Sequence, residues 1–329
     1  MPGSLHVGRT RSRTLSLLLL IGALGLPQLA GSSESALSLT TQASSTKATL
    51  LSIQFPTPQH GWAVGSGGTI LKTIDGGKKW KRVVSGTTTL LTSVYFIDSL
   101  NGWVTGAGGW LSRTTNGGES WSRQPLDSQQ PLYAVSFSSP TVGWVVGGGG
   151  TIFSTTDGGR HWREQASGTS AALYAVQFLN EQQGTIAGAL GTILSTSDGG
   201  ATWTPHTTQS AATLFDVFFT DAMTGWAVGN AGALFQTTDG GANWVDQTLP
   251  CGRTCTRLTD LLKIRFTSRQ EGWIVGERGA LYRTTDAGLT WSEGTSIAPV
   301  SLFGLSLPDQ SQGWVSGENG TIVHLQLNR

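Results

Sequence analysis

An all-β ring of seven four-stranded units is the fold this sequence predicts, and three observations predict it. Anchor glycines recur at Gly61, Gly102, Gly143, Gly184, Gly225, Gly272 and Gly313, spaced by 41 residues except for one gap of 47. A box close to Thr-x-Asp-Gly-Gly-x-x-Trp follows each of the first six, from TIDGGKKW (73–80) to TTDAGLTW (284–291). A short run that is mostly apolar at alternate positions precedes each anchor. A period near 40 residues is the size of one propeller blade, so the expected architecture is a seven-bladed β-propeller.

Residues 1–36 stand apart from the repeats. Arg9, Arg11 and Arg13 precede an apolar run from Leu15 to Leu26, and mostly small residues follow Pro27. This order reads as a secretory signal peptide, cleaved after Ala30 or, preferably, Ala36. The apolar run is shorter than the roughly 20 residues that span a bilayer. An uncleaved anchor is the alternative. No cysteine near the cleavage point offers a lipid anchor, and the arginines form no adjacent pair. The domain expectation is therefore a signal peptide over 1–36 and a propeller over 37–329, exported to the periplasm or the extracellular space.

Within a repeat, four segments follow one another. The first, LLSIQF (50–55) in blade 1, has period two and reads as a strand. GWAVG (61–65) is the second strand, and a glycine-rich turn leads to the third, TILKT (69–73). Asp-Gly-Gly then forms a hairpin turn: its glycines accept positive φ, and its aspartate accepts backbone N–H groups. The fourth strand begins near the box tryptophan, as in WKRVV (80–84). Burying that indole removes roughly 150–250 Å² from water, about 4–6 kcal/mol before entropy is subtracted. The seventh repeat ends after GWVSGENGTIVHL (313–325) with no box. LSLTTQAS (37–44) precedes the first repeat and is expected to supply the missing fourth strand, closing the ring and covering the sheet edges.

Composition excludes several functions. The net charge is +1 with 12 % charged residues, which leaves no basic footprint for nucleic acid. No phosphate loop, nucleotide fingerprint or metal-ligand cluster is present, so no cofactor or metal is expected. Twelve of the 13 tryptophans fill the two repeated slots and read as packing. The aspartates of the boxes read as turn residues. Cys251 and Cys255, in CGRTC within the longest inter-repeat segment, are expected to form a disulfide.

Function should lie where the repeat is broken. Trp110 stands where other blades carry Thr69, Thr151, Thr192 or Ala233. Glu277 and Arg278 occupy the same turn in blade 6, Glu318 and Asn319 in blade 7, and Arg253 and Arg257 lie in the long insertion. All belong to one face of the ring, because the turn between strands two and three lies beside the links between blades. They are candidates for partner binding; ordinary solvated loops are the plainer reading. Asp216 and Lys263 hold one slot in adjacent blades, where uncharged residues are usual, and Arg265 also breaks the pattern. Asp216 and Lys263 are expected to pair near the central channel, most simply as a structural ion pair.

The pattern L-x-x-V-x-F, GWxVG and G-T-I-x-x-T-x-DGG-x-x-W, over about residues 37–329, resembles the photosystem II stability/assembly factor family. The resemblance implies a non-catalytic, protein-binding propeller scaffold acting on a membrane-protein partner or assembly intermediate, in the thylakoid lumen if the organism is photosynthetic; a monomer is expected. It also implies an arginine-rich stretch after W-x-P-H. Here WTPH (203–206) is followed by TTQSAATLFDV, without arginine. The partner is accordingly either a photosystem II intermediate or another envelope protein. Two other classes compete: a carbohydrate-binding propeller with Trp110 as a stacking platform, and a sialidase-type glycoside hydrolase. The hydrolase needs an arginine trio and a tyrosine–glutamate pair, for which the repeats offer no matching set.

Overall fold

The computed structural model describes residues 37–249, 259–296 and 299–327. Seven four-stranded antiparallel sheets make up the ring, each in simple up-and-down order. The innermost strands are Leu50–Gln54, Leu91–Phe96, Leu132–Phe137, Leu173–Phe178, Leu214–Phe219, Leu261–Phe266 and Leu302–Ser306. Blades 1 to 6 are continuous in sequence. Blade 7 has three strands from the far end of the chain and an outermost strand, Ser38–Gln42, from its beginning. That strand pairs with Ile322–Gln326 in a register running from Ser38 opposite Gln326 to Gln42 opposite Ile322. The expected closure is therefore what the chain does. Residues 1–36, expected to be a signal peptide, and the CGRTC loop, with Arg253, Arg257, Cys251 and Cys255, lie outside the described residues.

Neighbouring blades are joined by rings. The anchor tryptophan of one blade stacks on the phenylalanine ending the innermost strand of the next, as in Trp62 on Phe96 at 3.6 Å and 12°. The same joint closes the circle, with Trp314 of blade 7 on Phe55 of blade 1 at 3.8 Å. All six anchor indoles are essentially inaccessible to water. The box tryptophans approach the same phenylalanines edge-on, as in Trp121 on Phe96 at 87°. Only Trp80 and Trp244 among them are buried; the other four are half-buried. Both sets of indoles pack as expected, the anchors completely and most of the box indoles with one part still open to solvent.

The box turn is held by one threonine. Thr73 Oγ1 donates to Asp75 Oδ1 at 2.8 Å and accepts the Gly77 N–H at 2.9 Å, while Asp75 Oδ1 accepts the Lys79 N–H. The threonine contacts repeat in all six boxes. Such bonds favour the carboxylate over the acid. The Thr202 hydroxyl and amide hold Asp198 at about 2, below the usual 3.8, and the Asn243 amide and side chain do the same for Asp239. Asp75, Asp157 and Asp286 are lowered in the same sense. A carboxyl depressed on folding stabilises the fold above its unfolded pKa and loses that contribution as pH falls through the folded value. The thermal midpoint should therefore hold steady down to about pH 4 and fall progressively between about pH 4 and pH 2. Thermal scans across that range check it, and an unchanged midpoint at pH 2 would contradict it.

Candidate functional site

The innermost strands surround a central channel of about 350 Å³. Their third and fifth positions line it, and most of the polar groups there serve the joints. Gln177 spans to the next blade, accepting the Phe219 N–H at 2.6 Å and donating to its carbonyl at 3.2 Å. Tyr95 donates its hydroxyl to the Phe137 carbonyl at 2.7 Å, and Gln54 ties to both backbone groups of Phe96.

Three lining residues carry charge, and all belong to blades 5 and 6. Asp216 is buried, and one of its oxygens accepts Lys263 Nζ at 3.2 Å. The other accepts Arg265 Nη1 at 2.6 Å and the Ile264 N–H at 3.0 Å. One carboxylate is thus shared by two cations, which leaves a net positive charge in the channel wall. Burial holds the Lys263 ammonium below its ordinary range, and the Arg265 charge adds to that, against the pull of Asp216. Asp216 is the one carboxylate among the residues that line the channel.

Beside this cluster, three rings form a ledge. Tyr133, Tyr174 and Phe215 hold the second position of the innermost strands in blades 3, 4 and 5. Tyr133 and Tyr174 lie 4.9 Å apart, and Tyr174 and Phe215 meet edge-on at 5.8 Å. All three are half-buried. Burial, with Tyr174 close by, raises the Tyr133 phenol above its ordinary range. The ledge sits at the strand end where blades are linked: Leu132 pairs with Gly147, which opens the turn Gly148–Gly150. Phe215 directly precedes Asp216 in the strand, so the ledge begins next to the charge cluster in the chain, although none of its three rings lines the channel itself.

The pattern-breaking turn residues share that face. Glu277 and Arg278 lie in the turn Glu277–Gly279, and Glu318 and Asn319 in the turn Glu318–Gly320, on adjacent blades. Arg278 has φ of 55°, but Leu190, Ala231 and Asn319 adopt the same conformation at the same turn, so the turn geometry sets it. Trp110 is separated from this pair by blade 1. Its ring is half-buried against the core between blades 1 and 2, and the Arg123 guanidinium lies over it at 4.2 Å. The sequence pattern did not single out the ledge or Arg265's bond to Asp216; aromatic residues in one slot of three successive blades were the available signal. WTPH is ordinary blade 4 structure, with His206 Nε2 and Ser195 Oγ 2.6 Å apart across the outer strands.

A family model described as "Photosynthesis system II assembly factor YCF48" matches residues 32–132, 129–207 and 201–295, most of the chain. The chain belongs to the YCF48 family. Among solved structures, "YCF48 bound to D1 peptide" is 23 % identical with a TM-score of 0.73, covering 89 % of this chain and 95 % of that one. YCF48 from Cyanidioschyzon merolae is 22 % identical with a TM-score of 0.74, covering 88 % and 99 %. A xyloglucanase from Xanthomonas campestris reaches a TM-score of 0.71 at 13 % identity, covering 89 % of this chain and 54 % of that one. At these identities the likeness is one of fold. No curated protein matches the chain. Among the described residues no helix is long and apolar enough to cross a membrane, and no group of side chains is arranged to hold a metal ion.

Proposed function

We propose that this YCF48-family propeller is an exported, non-catalytic scaffold that holds a segment of a membrane-protein assembly intermediate against the face carrying the ledge. The observation that carries the reading is the row of half-buried rings Tyr133, Tyr174 and Phe215, which ends one residue before Asp216 and its two cations, Lys263 and Arg265. Half-buried rings offer flat area for an extended peptide, and a wall with excess positive charge suits a carboxylate. A YCF48 structure with a bound D1 peptide supports a peptide as the ligand class. Glu277, Arg278 and Glu318 would form the rim, with Trp110 farther round, and Arg253 and Arg257 of the insertion are further candidates for partner contact. Residues 1–36 act as the export signal, Cys251 and Cys255 form a disulfide after export, and the propeller works as a monomer in the periplasm or lumen.

Pull-down from native membranes tests the reading, followed by calorimetry with the recovered segment. Tyr133→Ala combined with Tyr174→Ala should weaken binding at least about ten-fold, as loss of interface aromatic anchors does. Unchanged binding in the folded double variant would overturn the site. Cleavage of a fluorogenic glycoside, lost on mutating one glutamate, would overturn the non-catalytic reading.

A further inference from the structure

Blade 4 alone has no anchor tryptophan; Thr185 stands in its place. At five other joints an indole lies flat on the next blade's phenylalanine, with ring centroids 3.3–4.0 Å apart. The joint between blades 6 and 7 keeps its indole and changes the partner instead, with Trp273 packed among apolar residues that include Leu307. Between blades 4 and 5 the phenylalanine remains, as Phe219, and the indole is missing. A cavity of about 180 Å³ occupies the place, lined by Thr185, Ser195, Phe219 and Gly240 among others.

The gap keeps the contacts of an indole seat. At three joints the second box glycine faces the anchor ring: a Cβ on Gly118, Gly159 or Gly288 would lie 2.5–2.9 Å from the indole nitrogen of Trp62, Trp103 or Trp226, whereas Gly77 and Gly200 face the side chains of Gln42 and Gln165. At Gly241 the nearest heavy atom is 3.6 Å away and belongs to Phe219. At two joints the first box glycine accepts the ring N–H: Trp62 Nε1 donates to Gly117 at 3.2 Å, and Trp144 Nε1 to Gly199 at 3.1 Å, while the N–H groups of Trp103, Trp226, Trp273 and Trp314 have no such acceptor among the described residues. Gly240 is the corresponding residue here. Its neighbours Gln183, Ser197, Thr202 and Ala222 are exposed, so the cavity opens to solvent. An engineered apolar cavity of about 150 Å³ takes up benzene, so the volume suffices for an aromatic ring.

We propose that this joint is a binding site for an indole supplied from outside the fold, stacked on Phe219 with its N–H donated to the Gly240 carbonyl. The ring arrives either as a free indole-type molecule or as a tryptophan side chain of a peptide. The site lies on the face of the box turns, opposite the ledge, and does not depend on the peptide-binding reading above.

The test uses 5-fluoroindole and ¹⁹F NMR on the folded propeller. A saturable change of the fluorine signal is expected with the native chain. Thr185→Trp supplies the ring from within and should abolish the change; Thr185→Leu, a smaller filling, should weaken binding at least about ten-fold if the larger variant fails to fold. 1-Methylindole, which has no N–H, should compete at least several-fold less well than indole. Competition by a Gly-Gly-Trp-Gly-Gly peptide assigns a side-chain source, and binding of fluoroindole without such competition assigns a free molecule. Absence of a saturable signal, equal binding in the folded Thr185 variants, or equal competition by 1-methylindole overturns the proposal.

Discussion

A chain beginning at residue 45 is expected to unfold at a much lower urea concentration than one beginning at residue 37. The shorter chain lacks Ser38–Gln42 and so leaves Ile322–Gln326 as an open edge. It also takes Leu37 and Leu39 from the cluster around Trp273, Leu302 and Leu325. Each apolar side chain returned to water costs up to about 1.5–3 kcal/mol, less for these partly buried ones. Gln42 adds a tie of a different kind. It donates to the Gly76 carbonyl at 3.0 Å and accepts the Trp80 indole N–H at 3.1 Å, so it binds blade 7 to the box of blade 1. Loss of the five-residue ladder, two leucines and this tie should total at least about 4 kcal/mol. Urea midpoints of the two chains measure it, with limited proteolysis of blade 7 as a second readout. Equal midpoints would mean that the seam contributes nothing to stability.

Asp216→Ala should be the most damaging substitution in the channel. It leaves Lys263 and Arg265 facing one another without the carboxylate that both share, and it strips the Ile264 N–H of its acceptor. Breaking a buried ion pair by removing one partner typically costs about 3–5 kcal/mol; here the two cations keep some access to channel water, which favours about 3. Removing the charges together is a different experiment. The triple variant with Lys263→Met and Arg265→Leu should recover most of the loss, since an apolar wall needs no counter-charge. Equilibrium denaturation of the native chain, the single variant and the triple variant decides it. A triple variant no more stable than Asp216→Ala would show that the carboxylate acts through Ile264 alone.

Much of this architecture is legible in the sequence because a blade is built from local rules. Thr73, Asp75 and Gly77 lie within five residues of one another, so their turn can be read directly. The missing box of blade 7 and the orphan run 37–44 together imply the closure. Slot position puts Asp216 and Lys263 in register, and the structure has them 3.2 Å apart. What the period conceals is contact between blades. Tyr133 and Tyr174 are 41 residues apart in sequence and 4.9 Å apart in space, and nothing in one repeat says that their rings lean together. Arg265 reaches Asp216 from a different slot, across the joint. Arg123 covers Trp110 from the neighbouring strand, which the substitution pattern alone does not reveal. The gap at Thr185 is visible in sequence only as one absent tryptophan, while its consequence depends on Phe219 staying in place.

Blade 7 draws its outermost strand from one end of the described chain and its other three from the opposite end. It is the one sheet of the ring that no contiguous stretch of chain can complete. Until it is finished, the molecule is an arc whose final edge accepts a five-residue strand of the right register from any source. Bringing distant ends together costs entropy that rises only slowly with the length between them, so a dilute chain recruits its own strand. In a concentrated refolding mixture a second copy's strand competes for the same edge, and the product is an exchanged pair joined at blade 7 of each copy.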